Sequence, residues 1–387
     1  MIRLLLSILI SVFAALPVYA QWGDPYSFGG YLRITPMVWK PASYFTSDEN
    51  YEVMNIILTR QNFRWYPTTN FTFGLELKSR IYQGGSIYLL KQTANVSSLG
   101  ASYFDWDKNW LEEDEVLINS TIDRAWLKVY FGDLQIDLGR QRIAWGTNLV
   151  WNPVDLFNPS NPMDFTNDEM PGTDAVRAQY YLGPNSKIET AVAPQKEEDE
   201  TIAAGLLQIN LWDYDWIFLG GRRYQETVFG FAWAGSILDG GFRGEFLYSK
   251  PRRYLNDSGG YLVASVSGDY TMKNSQYFHG ALLYNERGTT DDAGGFRQLL
   301  AYMRGELTPA RISLWGEIAR DLTPLLRGDI AMIFNPYDNS WYLSPNFTYS
   351  LITDLDVTAM ALIFGGDDGT EFGDTGNIYM MRFKYSF

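Results

Sequence analysis

The chain has 387 residues, a formal net charge of −14, one histidine (His279) and no cysteine. The absence of thiols excludes disulfide scaffolds, thiolate metal sites and thiol catalysis. The acidic balance, with a sequence pI near 4.6, excludes nucleic acid as a natural partner, because phosphate binding needs the opposite sign.

At the amino end, Arg3 precedes an apolar run over 4–16, and Val18-Tyr19-Ala20 offers a small residue at a cleavage position. This is the pattern of a secretory signal peptide over 1–20, with a single domain expected over 21–387 and no linker or repeat to divide it. Beyond the signal no stretch of ~20 apolar residues occurs, so no transmembrane helix is expected. Aromatic residues nevertheless make up 16%, with 13 Trp, 26 Tyr and 23 Phe, while mean hydropathy is only −0.19. Those values conflict for a helical membrane protein. They agree for a membrane β-barrel, in which lipid-facing apolar residues alternate with lumen-facing polar ones and aromatic girdles mark the interfaces.

The clearest alternation runs over 70–80, where Phe71, Phe73, Leu75 and Leu77 interleave with Thr72, Gly74, Glu76, Lys78 and Arg80. It recurs over 123–131, with Arg124, Trp126 and Lys128 opposite Ala125, Leu127, Val129 and Phe131, and over 134–138, the two joined by a tight turn at Gly132-Asp133. A further strand is expected over 299–307, with Arg304 and Glu306 on its polar side. Others are expected over 27–40, 51–66, 174–182, 184–194, 203–211, 214–222, 225–236, 238–250, 260–270, 276–287, 309–320, 325–335, 341–352 and 354–365. Each approaches the ~10 residues that a tilted strand needs to cross a bilayer. Bacterial single-chain barrels carry an even number of strands, and the raw count is odd, which gives 16 to 18 with 18 favoured. The fold class is therefore all-β, a single-chain antiparallel transmembrane barrel.

Two stretches are too long and irregular for strands or turns. One, about 84–118, carries Asp105, Asp107, Glu112, Glu113, Asp114 and Glu115. The other, about 147–174, carries Asn152-Pro153, Asn158-Pro159 and Asn161-Pro162. Loops of this kind cover the mouth of a barrel or fold into its bore. The acidic segments, with Asp291-Asp292 and 367–374, offer hard oxygen ligands for calcium but lack EF-hand spacing, which leaves solvated loops as the simpler reading; no other cofactor is indicated.

The densest cluster of unusual residues is Gly139-Arg140-Gln141-Arg142-Ile143-Ala144-Trp145-Gly146, followed by Trp151-Asn152-Pro153-Val154-Asp155-Leu156-Phe157-Asn158-Pro159. Arg140 and Arg142 share the parity of Leu138, where a charge at mid-bilayer would cost ~2–4 kcal/mol, so the chain is expected to leave the hydrocarbon zone at Gly139. Over about 20 residues this run resembles the central motif of alginate-export-like outer-membrane barrels. The resemblance implies a barrel with an arginine-lined, loop-constricted lumen passing an anionic or polar solute. Arg140 and Arg142 would then face the solute, near Trp145, and Asn152 and Asp155 would hold the inserted loop. Physically, an arginine fork binds carboxylate or phosphate bidentately and keeps its charge, which suits a constriction. The same arginines can instead pair with Asp137 and Asp155 and pin the loop. Glu76, Lys78, Arg80, Arg124, Lys128, Arg304, Glu306, Arg382 and Lys384 form a mixed lumen-lining set whose simplest reading is a hydrated wall of mutually satisfied ions.

At the carboxy end, Tyr379, Met381, Phe383, Tyr385 and Phe387 lie on one side of an extended chain, with Arg382, Lys384 and Ser386 opposite. This closing strand resembles the signal by which Gram-negative outer-membrane barrels are recognised for insertion, with Tyr379, Phe383, Tyr385 and Phe387 as its aromatic positions. An edge strand of a soluble sandwich is the alternative. The implied location is the Gram-negative outer membrane. The implied partners are its lipids and lipopolysaccharide, the barrel-assembly machinery, and a small polar solute or a polysaccharide.

Three functions compete. A channel is expected first. An adhesion or structural barrel with binding loops is the second. An outer-membrane hydrolase is disfavoured, because His279 is followed two positions on by Ala281, where barrel lipases have serine. The chain also has no room for a plug domain ahead of 22 strands.

Overall fold

The computed structural model describes residues 25–40, 51–84, 103–158, 169–197, 200–251, 259–295, 297–298, 301 and 305–387. The expected signal peptide lies outside them.

Nineteen strands form: β1 (Tyr26–Trp39), β2 (Glu52–Thr68), β3 (Phe71–Gly84), β4 (Asp107–Glu112), β5 (Val116–Phe131), β6 (Leu134–Gln141), β7 (Thr173–Gly183), β8 (Ser186–Ala193), β9 (Ile202–Leu211), β10 (Tyr214–Arg223), β11 (Glu226–Ile237), β12 (Gly240–Pro251), β13 (Tyr261–Thr271), β14 (Gln276–Asn285), β15 (Ile312–Thr323), β16 (Leu326–Phe334), β17 (Trp341–Ile352), β18 (Leu355–Gly365) and β19 (Ile378–Ser386). All but β4 join in one closed antiparallel ring, in which β3 pairs directly with β5 and β19 returns to β1. The wall is therefore an 18-strand barrel, and closure leaves no unpaired edge in the membrane. The seam is sealed by Ile34 opposite Phe383. Beyond it, Gly30 N donates to Phe387 O (2.9 Å), Phe387 N donates to Gly30 O (3.0 Å), and the Phe387 ring stacks on Phe28.

The two ends of the barrel differ. At one end lie the start of β1, the carboxy-terminal Phe387 and tight turns such as Trp212-Asp213 (φ 58° and 61°) and Leu238-Asp239 (φ 50° and 66°). Left-handed geometry at both central residues matches the twist of a two-residue hairpin. The other end carries the long connections. Short turns face the periplasm in such barrels and long loops face outside, which orients the molecule.

Side chains sort as the alternation requires. Ile34, Phe71, Leu77, Leu138, Ile188 and Phe383 are exposed on the outer face, where lipid lies, while Arg33, Glu76, Lys78, Gln135 and Asp137 are buried on the inner one. Two departures from the sequence pattern stand out. The described residues of the expected 299–307 strand, 301 and 305–307, lie in the β14–β15 loop rather than in a strand, with Gly295 and Gly305 in the left-handed region and Glu306 N bonded to Ala301 O; the rest of that expected strand lies outside the described residues. Ala301 is buried, and the neighbouring Gln298 donates from Nε2 to Glu371 O of the extracellular cap, so these positions pack loop on loop. Glu306 accordingly does not line the barrel wall, and Arg304 lies outside the described residues. Within the expected 84–118 loop, conversely, 107–112 forms β4, which extends the β5 edge beyond the stretch that pairs with β6.

Candidate functional site: a segment folded into the bore

The path into the lumen begins at Gly139. Its φ is +103°, and a Cβ there would stand 2.3 Å from the Ala125 carbonyl oxygen, so only glycine fits. This reversal turns the chain inward after the lipid-facing Leu138. Arg140 and Gln141 become buried rather than lipid-exposed. Arg140 Nε donates to Asp123 O (3.1 Å), and its Nη1 lies 3.6 Å from Asp174 Oδ1, across the pair with β7. Arg140 therefore pins the root of the segment, with Asp174 rather than Asp137 as its carboxylate. Arg142, next along, is exposed and has no ion pair within 4 Å among the described residues.

The chain from 142 to 158 then crosses the barrel interior. Asn158 ties its two ends together: its Oδ1 accepts from Ile143 N (3.1 Å), and its Nδ2 donates to Pro171 O and Thr173 Oγ1. Trp145 stacks edge-on against Phe157 and donates from Nε1 to Glu189 Oε1 on β8 (2.6 Å), a carboxylate also held by Arg177 and Lys187. Farther in, Glu245 of β12 accepts the backbone N–H groups of Thr147 (2.5 Å), Asn148 (2.8 Å) and Val154 (3.1 Å). Asn148 also donates to Ser265 O and accepts from Ser267 Oγ on β13, and Trp151 packs edge-on against Trp315 of β15.

Between these polar anchors the segment is apolar. Ile143, Trp145, Val154, Leu156 and Phe157 pack into the wall of β7 to β12, while Val150 and Trp151 join a second cluster with Met37, Met54, Leu283, Tyr342 and Met380. In the outer half of the bore, packed side chains thus join the segment to the wall.

Of the expected loop-holding residues, Asn152 sits where Gly146 leaves room for its side chain, and its Oδ1 has no hydrogen-bond partner. Asp155 receives Trp145 N at 3.5 Å. Burial, reinforced by the nearby Glu245 charge, pushes the Asp155 carboxyl up to about 7, against the pull of the Trp145 N–H, Arg142 and Arg223.

Opposite lies a buried ion network on β2, β3 and β5. Arg60 bridges Glu76, Asp123 (2.7 Å) and Glu169 (3.3 Å); Arg64 holds the other oxygen of Glu76; Lys78 lies 3.5 Å from Asp123. The register of β3 with β5 slips between Glu76 and Leu77, leaving Asp123 as the bulged residue. Asp123 and Arg124 therefore both reach the lumen, although strict alternation would send one of them to lipid. Arg124 Nη2 donates to Met170 O, and Tyr31 OH donates to Glu169, so the network also holds the far end of the long loop. Lys128 lies over the Trp126 ring and Lys384 over Tyr31. Arg80 and Arg382 each have a partner. His279 is buried with Nδ1 3.6 Å from Glu317 Oε2, and its direct cross-strand partners are Asp269 and Glu317. Among the described residues no three acidic, histidine or cysteine side chains converge as a metal site.

Glu169, Glu189 and Glu245 were not legible as anchors. The only trace was a carboxylate alone among small and apolar neighbours, as at Gly244-Glu245-Phe246.

A closed 18-strand antiparallel barrel, with a long loop folded into its lumen and an apolar outer surface, defines a porin-type protein of the Gram-negative outer membrane. No family model and no curated protein matches the sequence, but solved structures match its fold. These include Acinetobacter baumannii OccAB4 (TM-score 0.60, 8% identity, covering 94% of this chain and 98% of that chain) and the outer membrane protein OprD from Pseudomonas aeruginosa (0.57, 10%, 94% and 94%). Acinetobacter baumannii OccAB3 is similar to the same degree (0.57, 11%, 94% and 99%). At such identities the likeness is one of fold.

Proposed function

We propose that the protein is a channel for small polar or anionic solutes, which pass the inserted segment along the side where Arg142 is exposed. The observation that supports this most is the segment itself: a built constriction, anchored on Glu189, Glu245 and Trp315 and carrying one exposed arginine with no ion pair within 4 Å among the described residues. A fixed guanidinium in a narrow bore favours anions and offers a bidentate contact to carboxylate or phosphate. Arg140, paired and buried, serves the loop's root. Export of a polysaccharide is not supported by the porin-type fold relatives, and a bore crossed by this packed segment gives a polymer little room.

The purified protein in a planar bilayer should give stepwise conductance, with a reversal potential that shifts toward cations in Arg142→Ala. Conductance with an unmoved reversal potential would remove Arg142 from the path. The packed outer half of the bore favours one second reading, a structural or adhesion barrel acting through its extracellular loops; membranes that stay silent would select it.

A further inference from the structure

The outer face of β11 to β17 carries a hollow of about 1070 Å³, bordered by Leu238, Tyr270, Phe278, Ile318, Met332 and Phe347. Its floor is a row of three glycines in direct register, Gly268 opposite Gly280 and Gly280 opposite Gly316. All three face lipid: Gly280 lies between the exposed Phe278 and Leu282, and Gly316 between the exposed Leu314 and Ile318.

Nothing among the described residues requires glycine at these positions. None of the three has a positive φ. A Cβ on Gly316 would meet nothing within 4 Å, one on Gly280 only the Trp315 carbonyl at 3.9 Å, and one on Gly268 only the Gly241 carbonyl at 3.5 Å. On the same outer surface Gly244 is different, since a Cβ there would collide with the Trp233 ring at 2.1 Å. The hollow is therefore space left for something outside the chain.

Its chemistry is set at the periplasmic rim. Arg320 has the lipid-facing parity of Gly316 and Ile318, borders the hollow, and is exposed with no ion pair among the described residues, because the adjacent Asp321 is taken by Arg327. Arg320 pairs with Gln276, the first residue of β14, so it stands at the end of the membrane-crossing zone, where a lipid-facing charge is tolerated. Gly316 lies four residues deeper, ~13 Å along the strand, within the half-thickness of a ~30 Å hydrocarbon core.

We propose that this hollow is a binding site for a glycerophospholipid of the inner leaflet, one acyl chain lying over the glycine floor and the phosphate on Arg320. The site needs only that the barrel spans the membrane and is independent of solute passage. It is tested by native mass spectrometry of the detergent-solubilised protein titrated with phosphatidylglycerol. Gly280→Leu plus Gly316→Leu fills the floor, Arg320→Gln removes the charge, and folding is checked by heat-modifiable migration. Wild type should hold one lipid through mild activation. The double leucine variant should lose it, and Arg320→Gln should bind phosphatidylglycerol at least tenfold more weakly while keeping wild-type affinity for uncharged diacylglycerol. Retention by the leucine variant, or unchanged affinity in Arg320→Gln, overturns the proposal. So does a leucine variant that keeps its lipid but loses an oligomer, since the occupant is then a second barrel.

Discussion

Replacing Glu245 by alanine should release the inserted segment from the β12 wall. The carboxylate takes three backbone N–H groups, from Thr147, Asn148 and Val154, and the Thr147 hydroxyl (3.2 Å). Alanine leaves three donors without an acceptor in a buried setting, each costing ~1–3 kcal/mol. The losses are not additive once the segment relaxes and water enters, so the net effect is on the order of 3–5 kcal/mol, as for breaking a buried charged contact. At ~1.4 kcal/mol per tenfold, the detached population rises by roughly two to three and a half orders of magnitude. The barrel should remain folded, because the Glu245 side chain takes no part in the backbone ladder that pairs β12 with β11 and β13. In single-channel recordings Glu245→Ala should show larger unit conductance and more open-channel noise than wild type, or conductance where wild type has little. Glu245→Gln, which keeps one acceptor oxygen, should fall between. A folded Glu245→Ala protein with wild-type conductance and noise refutes the anchoring role.

Gly139→Ala forces a Cβ into a left-handed backbone and against the Ala125 carbonyl, and should destabilise the protein by ~1–3 kcal/mol, read as a lower urea midpoint in detergent; an unchanged midpoint would show that the inward turn needs no glycine. The extracellular cap should loosen as pH rises. Burial, with the nearby Asp338, pushes the Glu371 carboxyl up to about 8, against hydrogen bonds from Thr308 and Asn335. The folded cap therefore binds a proton that the opened chain releases near 4.5, so its stabilisation is complete below about 4.5 and declines up to about 8. Hydrogen exchange of the 366–377 loop, corrected for intrinsic rates, should speed up across that window and become flat in Glu371→Gln; a flat wild type sinks the idea.

The local sequence determined the wall. Period-two alternation over 70–80 and 377–387 placed Phe71, Leu77, Tyr379 and Phe383 outside and Glu76 and Lys78 inside, because in a strand the sign of each side chain's environment follows from parity alone. The same rule failed where parity is broken by geometry. The bulge at Asp123 sends two successive charges inward and leaves no mark on the alternation; the left-handed Gly139, which turns Arg140 away from lipid, showed only as arginines at the parity of Leu138. At Ala301 and 305–307, inside an expected strand, the chain is instead loop, held beside Gln298 against the Glu371 cap. That Arg140 pairs with Asp174, and that Glu189 and Glu245 carry the inserted segment, was decided only by tertiary structure. Those contacts join residues about 35 to 100 positions apart, one between paired strands and two from the inserted segment to the wall, and nothing in the neighbourhood of either partner encodes which residue will stand opposite once the cylinder closes.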